Sequence, residues 1–263
     1  MRLFLEVAKR SFQRYLTYRA SALAGLATNF FFGLMRVAVL LALYGSQANV
    51  EGYSVKDVIT YTGLTQAMIA YLNLFGWFEL MQSVHSGEVA GDLLRPFDLF
   101  RYWLARDAGR ALVNLLLRGV TIMAIYALVF NLSYPSSLAA WLLVVLSLFL
   151  GWLVSFSYAF VVNLAAFWSP DAVGIGRFFF VIGWFFSGFL MPVRFYPEWL
   201  QTVAAWTPFP YMLNTIVEVY LGVSSGWNAV GAIAVQGVWA LGLIVLGQVV
   251  LRLATRRLVV LGG

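Results

Sequence analysis

The chain has 263 residues, 62% of them hydrophobic and only 11% charged, with a formal net charge of +6. A soluble domain carries about 25% charged residues, so this composition excludes one and points to an integral membrane protein. In such a chain basic residues report orientation before they suggest nucleic acid, and the absence of cysteine excludes disulfides and thiolate metal sites.

Residues 1–19 are the first element. Over Arg2 to Thr17, Arg2, Glu6, Lys9, Arg10 and Gln13 share one helical face, and Phe4, Ala8, Phe12 and Tyr15 share another. This is an amphipathic interfacial helix drawn to anionic lipid, and its polar face also suits a cytosolic partner. The apolar run after MRLFLEVAKR is too long for a signal-peptide core, so no cleaved leader is expected.

A hydrocarbon core of about 30 Å takes about 20 helical residues to cross. Only Arg36 interrupts the charge-free run from Ala20 to Val50, which places a first span near 21–44. The second lies between Asp57 and Glu79, from Val58 to Phe78. Gly119 to Pro170 carries no charge and is too long for one crossing; the turn NLSYPSS (Asn131 to Ser137) divides it into spans three and four. Span five runs from Ala172 to Met191 and span six from Trp227 to Leu251, giving six transmembrane helices in a single all-α domain over 1–263.

Two intervals break the pattern. Residues 83–110 form a polar loop containing SGEVAGDLLRPFDLFRYW (Ser86 to Trp103). Gly87 and Gly91 allow a sharp turn, and Pro96 suits the start of a short helix running to about Arg110, with Asp98 in its first turn. Phe97, Phe100 and Leu104 fall on one stripe, fit for the membrane face or a groove, while Glu88, Asp92, Arg95 and Arg101 stay polar. The second interval, 191–225, is apolar and aromatic, but Pro192, Pro197, Pro208 and Pro210 interrupt it. Proline removes helix hydrogen bonds, so two short re-entrant helices at the outer face are expected there, carrying Arg194, Glu198 and Glu218.

Basic residues fix the orientation. With the N-terminus inside, the inner segments hold Arg2, Lys9, Arg10, Arg14, Arg19, Arg95, Arg101, Arg106, Arg110, Arg252, Arg256 and Arg257, and the outer ones only Lys56 and Arg194. Both termini and the 83–110 loop are therefore cytoplasmic. Arg118 and Arg177 snorkel inward from the ends of their spans.

Catalytic chemistry is missing from this pattern. His85 is the single histidine, which leaves no triad or histidine metal site, and neither Lys9 nor Lys56 follows a glycine-rich phosphate loop. No catalytic, cofactor-binding or metal residue is assigned, and any driving ATP must bind another polypeptide. Arg36 costs about 2.5–3.5 kcal/mol at mid-bilayer, so it either snorkels to the outer headgroups or belongs to a transport path. The block RFFFVIGWFFSGFLMP (Arg177 to Pro192) is a packing surface first and a substrate wall second.

Together these parts resemble an ABC-2 type transporter permease of the DUF990-type branch. SGEVAGDLLRPFDLF (Ser86 to Phe100) resembles that branch's glycine and LLRP loop, and FFSGFLMPVRFYPEWL (Phe185 to Leu200) its pattern after span five. The resemblance implies a cell-membrane exporter subunit moving amphipathic or lipid-like compounds outward. It further implies two cytosolic ATPase subunits holding ATP and Mg, a second permease chain (the same or different), and contact with membrane lipids but not nucleic acid. The loop would then be the coupling element, with Gly87, Glu88, Asp92, Leu94, Arg95, Pro96, Phe97, Asp98 and Arg101 facing the ATPase. Without the resemblance, the residues alone read as a solvated loop with a membrane-surface helix. A secondary carrier or channel, or a docking subunit without a transport path, stays open beside the permease reading; missing mid-span acids and internal repeats weigh against the carrier.

Overall fold

A computed structural model describes residues 2–17 and 19–256, with the backbone alone at 19–24. Arg257, counted above among the inner basic residues, lies outside the described residues. The elements run α1 (Arg2–Thr17), α2 (Arg19–Tyr44), α3 (Val55–Leu72), α4 (Glu79–His85), α5 (Val89–Leu93), α6 (Leu99–Asn114) and α7 (Val120–Val129), then α8 (Leu138–Asn163), α9 (Ala172–Phe186), α10 (Glu198–Ala205), α11 (Asn214–Leu221) and α12 (Gly226–Thr255). Between α2 and α3, Asn49–Val50 pairs antiparallel with Tyr53–Ser54.

Among the described residues, four helices are long and apolar enough to cross a membrane: Gly25–Tyr44, Leu99–Val129, Leu138–Phe167 and Gly226–Thr255. The stretches expected as spans two and five fall short of that measure. At 15 residues, α9 reaches about 22 Å as a helix. Thr60, Thr62, Thr65 and Gln66 dilute the hydropathy of α3, yet all four are buried. That helix is the centre of the fold and packs on α2, α6, α7, α8 and α11. Its threonines are satisfied within the helix: Thr60 and Thr62 donate to the Lys56 and Val58 carbonyls, and Thr65 to Thr62. Its start is fixed by a capping box, with the Asp57 amide donating to Ser54 Oγ and the Ser54 amide to Asp57 Oδ2.

The loop helix expected to end near Arg110 does not end there. From Leu99 the chain runs through α6, a π-turn at Leu115–Gly119 and α7 to Val129 as one continuous path. Nothing in 99–118 forces a stop, because the charges that suggested one are absorbed internally: Asp107 and Arg110 pair on one face and are buried. Asp98 is the N-cap itself rather than a first-turn residue, its Oδ1 accepting the Arg101 amide at 3.0 Å. Pro96 stays in the turn ahead of the cap. Phe100 is 4% exposed and packs edge-on against Phe156 and Phe160, so it belongs to the interior rather than to a surface stripe.

The proline-broken interval divides into three pieces: a 3₁₀ turn at Val193–Phe195, an exposed α10, and α11, which is buried against α8 and α3. Trp199 and Trp206 are 68% and 82% exposed, whereas Ile216 and Val217 are fully enclosed. Polar pins hold the long helices together. Gln236 of α12 accepts from Ser147 of α8 at 2.9 Å and donates to the Tyr211 carbonyl at 2.8 Å. Asn163 of α8 donates to the Trp77 carbonyl at 2.7 Å and accepts the Met81 amide at 3.1 Å.

Candidate functional site

The loop before α6 is rooted in the core and bare at its tip. Gly87, at φ +79°, takes the left-handed conformation that closes α4 without strain; Gly91 lies inside α5 and needs no such freedom. Val89 is fully buried beside Leu80, Met81, Leu99 and Phe100. In contrast, Glu88, Gly91, Arg95, Pro96, Asp98 and Arg101 are exposed, Phe97 is half-buried, and Leu94 is 87% exposed. Asp92 pairs with Arg95 at 3.2 Å. Burial lifts the Asp92 carboxyl above its ordinary range, against the pull of Arg95 and Arg106. Asp98 also accepts from Gln248 at 3.2 Å, which ties the loop to α12.

Behind the tip stands α1, which lies along α6 instead of resting on lipid alone. The crossing is close because Gly109 lacks a side chain: a Cβ there would sit 2.3 Å from the Ala8 carbonyl oxygen and 2.7 Å from the Phe12 amide nitrogen. Ser11 donates to the Arg106 carbonyl at 2.6 Å. Glu79, at the head of α4, accepts from Tyr15 and from Arg106, each at 2.9 Å. Burial and this carboxylate push the Tyr15 phenol up to about 12.

A deeper set was not singled out from the sequence. Asp107 accepts from Arg110 at 2.6 Å, from Trp152 Nε1 at 2.7 Å and from Asn73 at 3.2 Å. The Arg110 guanidinium also donates to the carbonyls of Ala70 and Tyr71, where α3 ends. The spacing Asp107-x-x-Arg110 shows an intrahelical pair. Its burial depends on Trp152 from α8, which no local pattern reveals.

Arg36 turns inward and is held by protein groups rather than snorkelling to the outer headgroups. It donates to Thr65 Oγ1 at 3.2 Å and to the carbonyls of Phe189 and Leu190, and stands 4.6 Å from the Phe189 ring centre. Those carbonyls are freed where the chain breaks after α9, and Arg36 satisfies them from α2. Next to them, Gly188 at φ +81° lets Tyr61 donate to its carbonyl, while Tyr61 and the Val193 amide both reach Asn214 Oδ1. Further along, Glu218 accepts from Arg194 at 3.0 Å and from the buried Tyr53 at 3.1 Å; Glu198 sits apart, exposed at the start of α10. The structure thus gathers Arg194 with Glu218 and leaves Glu198 outside that pair.

A family model described as ABC-2 family transporter protein matches residues 30–262. None of the curated proteins compared with the chain matches it. The match starts inside α2 and takes in both the loop and the broken interval, and permeases of that family are non-catalytic membrane components that normally work with ABC ATPase partners. The chain belongs to the ABC-2 family of transporter proteins.

Proposed function

We propose that the chain is the transmembrane permease subunit of an ATP-binding cassette exporter in the cell membrane, moving an amphipathic or lipid-like compound outward. ATP and Mg are held by two copies of a cytosolic ATPase, and a second permease chain completes the pathway. The chain crosses the membrane six times with both termini cytoplasmic. In this arrangement α3 is the second crossing, sheltered from lipid by its neighbours, which is why it tolerates threonines and a glutamine. The fifth crossing is α9 extended through residues 187–191, and α10 with α11 dips into the outer face as a re-entrant pair, braced by Arg36 and by the Arg194–Glu218 pair.

One observation carries this reading: the loop tip is unsupported and its root is not. Leu94 is 87% exposed beside Arg95, three residues from the half-buried Phe97, while Val89 and Phe100 on either side are locked into the core. A large exposed aliphatic side chain on a polar tip is the anchor expected of a docking element, and its buried root passes a push from the ATPase to α4, α6 and α8.

The test is functional. Leu94→Asp and Phe97→Asp should leave the chain folded in the membrane but release the partner ATPase, or let it hydrolyse ATP without transport. Variants that retain both ATPase binding and coupled transport would remove the loop from the mechanism.

A further inference from the structure

Between α1 and the start of α6 lies a cavity of about 340 Å³. It opens beside a second cleft of about 810 Å³ under the loop, and the two share Arg14, Glu79, Arg95, Tyr102, Trp103 and Arg106 in their walls. Five arginines line the smaller cavity against only the carboxylates of Glu79 and Asp107. Both carboxylates are already committed, Glu79 to Arg106 and Tyr15, and Asp107 to Arg110. Arg95 holds Asp92 through a half-exposed contact. Arg10 and Arg14 form no ion pair among the described residues. Trp103 is 2% exposed, lines both cavities, and its indole N–H finds no acceptor among the described residues. The cavity therefore offers free cations beyond its two committed carboxylates, which ask for an anionic oxygen ligand.

The other walls indicate what that ligand is attached to. Val7, Trp77, Tyr102 and Trp103 supply apolar and aromatic surface at the level of an interfacial helix. We infer that this cavity binds the phosphate of an anionic phospholipid from the inner leaflet, clamped between Arg10 and Arg14 of α1 and Arg95 of the loop. The inference rests on the cytoplasmic placement of α1 proposed above, and gives the loop a second input. A headgroup joining Arg14 to Arg95 braces the loop against α1 and α6, so lipid composition sets how firmly the docking tip is presented.

The test uses the full-length chain, solubilised and offered phosphatidylglycerol and phosphatidylcholine together, with retained lipid read by native mass spectrometry. At about fivefold per arginine, Arg10 and Arg14 together give about a twenty-fivefold preference for the anionic lipid. Arg10→Gln with Arg14→Gln should abolish it. Arg2→Gln with Lys9→Gln, outside the cavity walls, should keep it. An equal loss in both double variants would show general surface attraction and overturn the site. Inorganic phosphate in excess should neither displace phosphatidylglycerol nor raise the unfolding temperature in phosphatidylcholine nanodiscs; if it does either, the ligand is a soluble anion and the lipid assignment fails. Labelling of a cysteine at Ser86 reads orientation separately, so a misplaced α1 is told apart from an empty cavity.

Discussion

Asp107→Ala should be among the most damaging single substitutions in the chain. The Asp107 and Arg110 side chains are 3% and 7% exposed, and the carboxylate accepts from three different residues. Its removal leaves a guanidinium in the interior with only backbone carbonyls for company, and strands the Trp152 and Asn73 donors. Breaking one side of a buried pair costs about 3–5 kcal/mol, and an unsatisfied buried donor about 1–3 kcal/mol, in terms that overlap rather than add. A loss of about 3–5 kcal/mol is therefore expected. Equilibrium unfolding in mixed micelles can be followed by tryptophan fluorescence, with Trp152 itself an informative reporter. Replacing both partners, as Asp107→Leu with Arg110→Met, should cost less than Asp107→Ala alone, because no orphaned charge remains. A cost for Asp107→Ala below about 1 kcal/mol, at the level of an exposed ion pair, would refute the buried network.

Gly109→Leu should lift α1 from α6, seen as faster hydrogen exchange across residues 2–17 with α8 and α12 unchanged. Gly188→Ala places a Cβ 2.6 Å from the Tyr61 hydroxyl at a positive φ, so thermal unfolding should fall by more than for Tyr61→Phe. Burial raises the Asp92 pKa, so the folded loop holds the proton more tightly than the unfolded one. Its burial penalty is present at neutral pH and is relieved as pH falls through the raised value toward the usual carboxylate range. Local opening of 86–98, corrected for intrinsic exchange, should become rarer on acidification, and Asp92→Asn should flatten that dependence. For topology, single cysteines at Ser46, Ser136 and Ser224 should react with an impermeant reagent from outside and one at Ser86 should not; labelling at Ser86 would invert the arrangement.

What could be read in advance followed how local each signal is. The all-helical membrane character, the split at NLSYPSS and the proline-broken interval rest on composition and on residues that interrupt helices, so they survive in the structure. Helix ends governed by tertiary partners did not. The α6 to α7 path continues past Arg110 because Asp107, Trp152 and the end of α3 take up its charge, and a window along the chain sees only a polar stretch. Arg36 was legible as an expensive residue but not as a ligand of the Phe189 and Leu190 carbonyls, which come from some 150 residues away. The lone polar residues Asn163 and Gln236 in charge-free runs were a usable hint, since such side chains pin membrane helices together. The packing of α1 onto α6 hinges on Gly109, one small residue in an otherwise ordinary helix.

The claim that this chain is driven by a separate ATPase through its loop is tested most directly by a photo-reactive residue placed at Leu94 in intact cells. The account predicts a cross-link to a cytosolic ATPase, formed from that position and not from an equally exposed one such as Trp206 just after α10. No adduct from Leu94, or an ATPase captured from Trp206 instead, would contradict it.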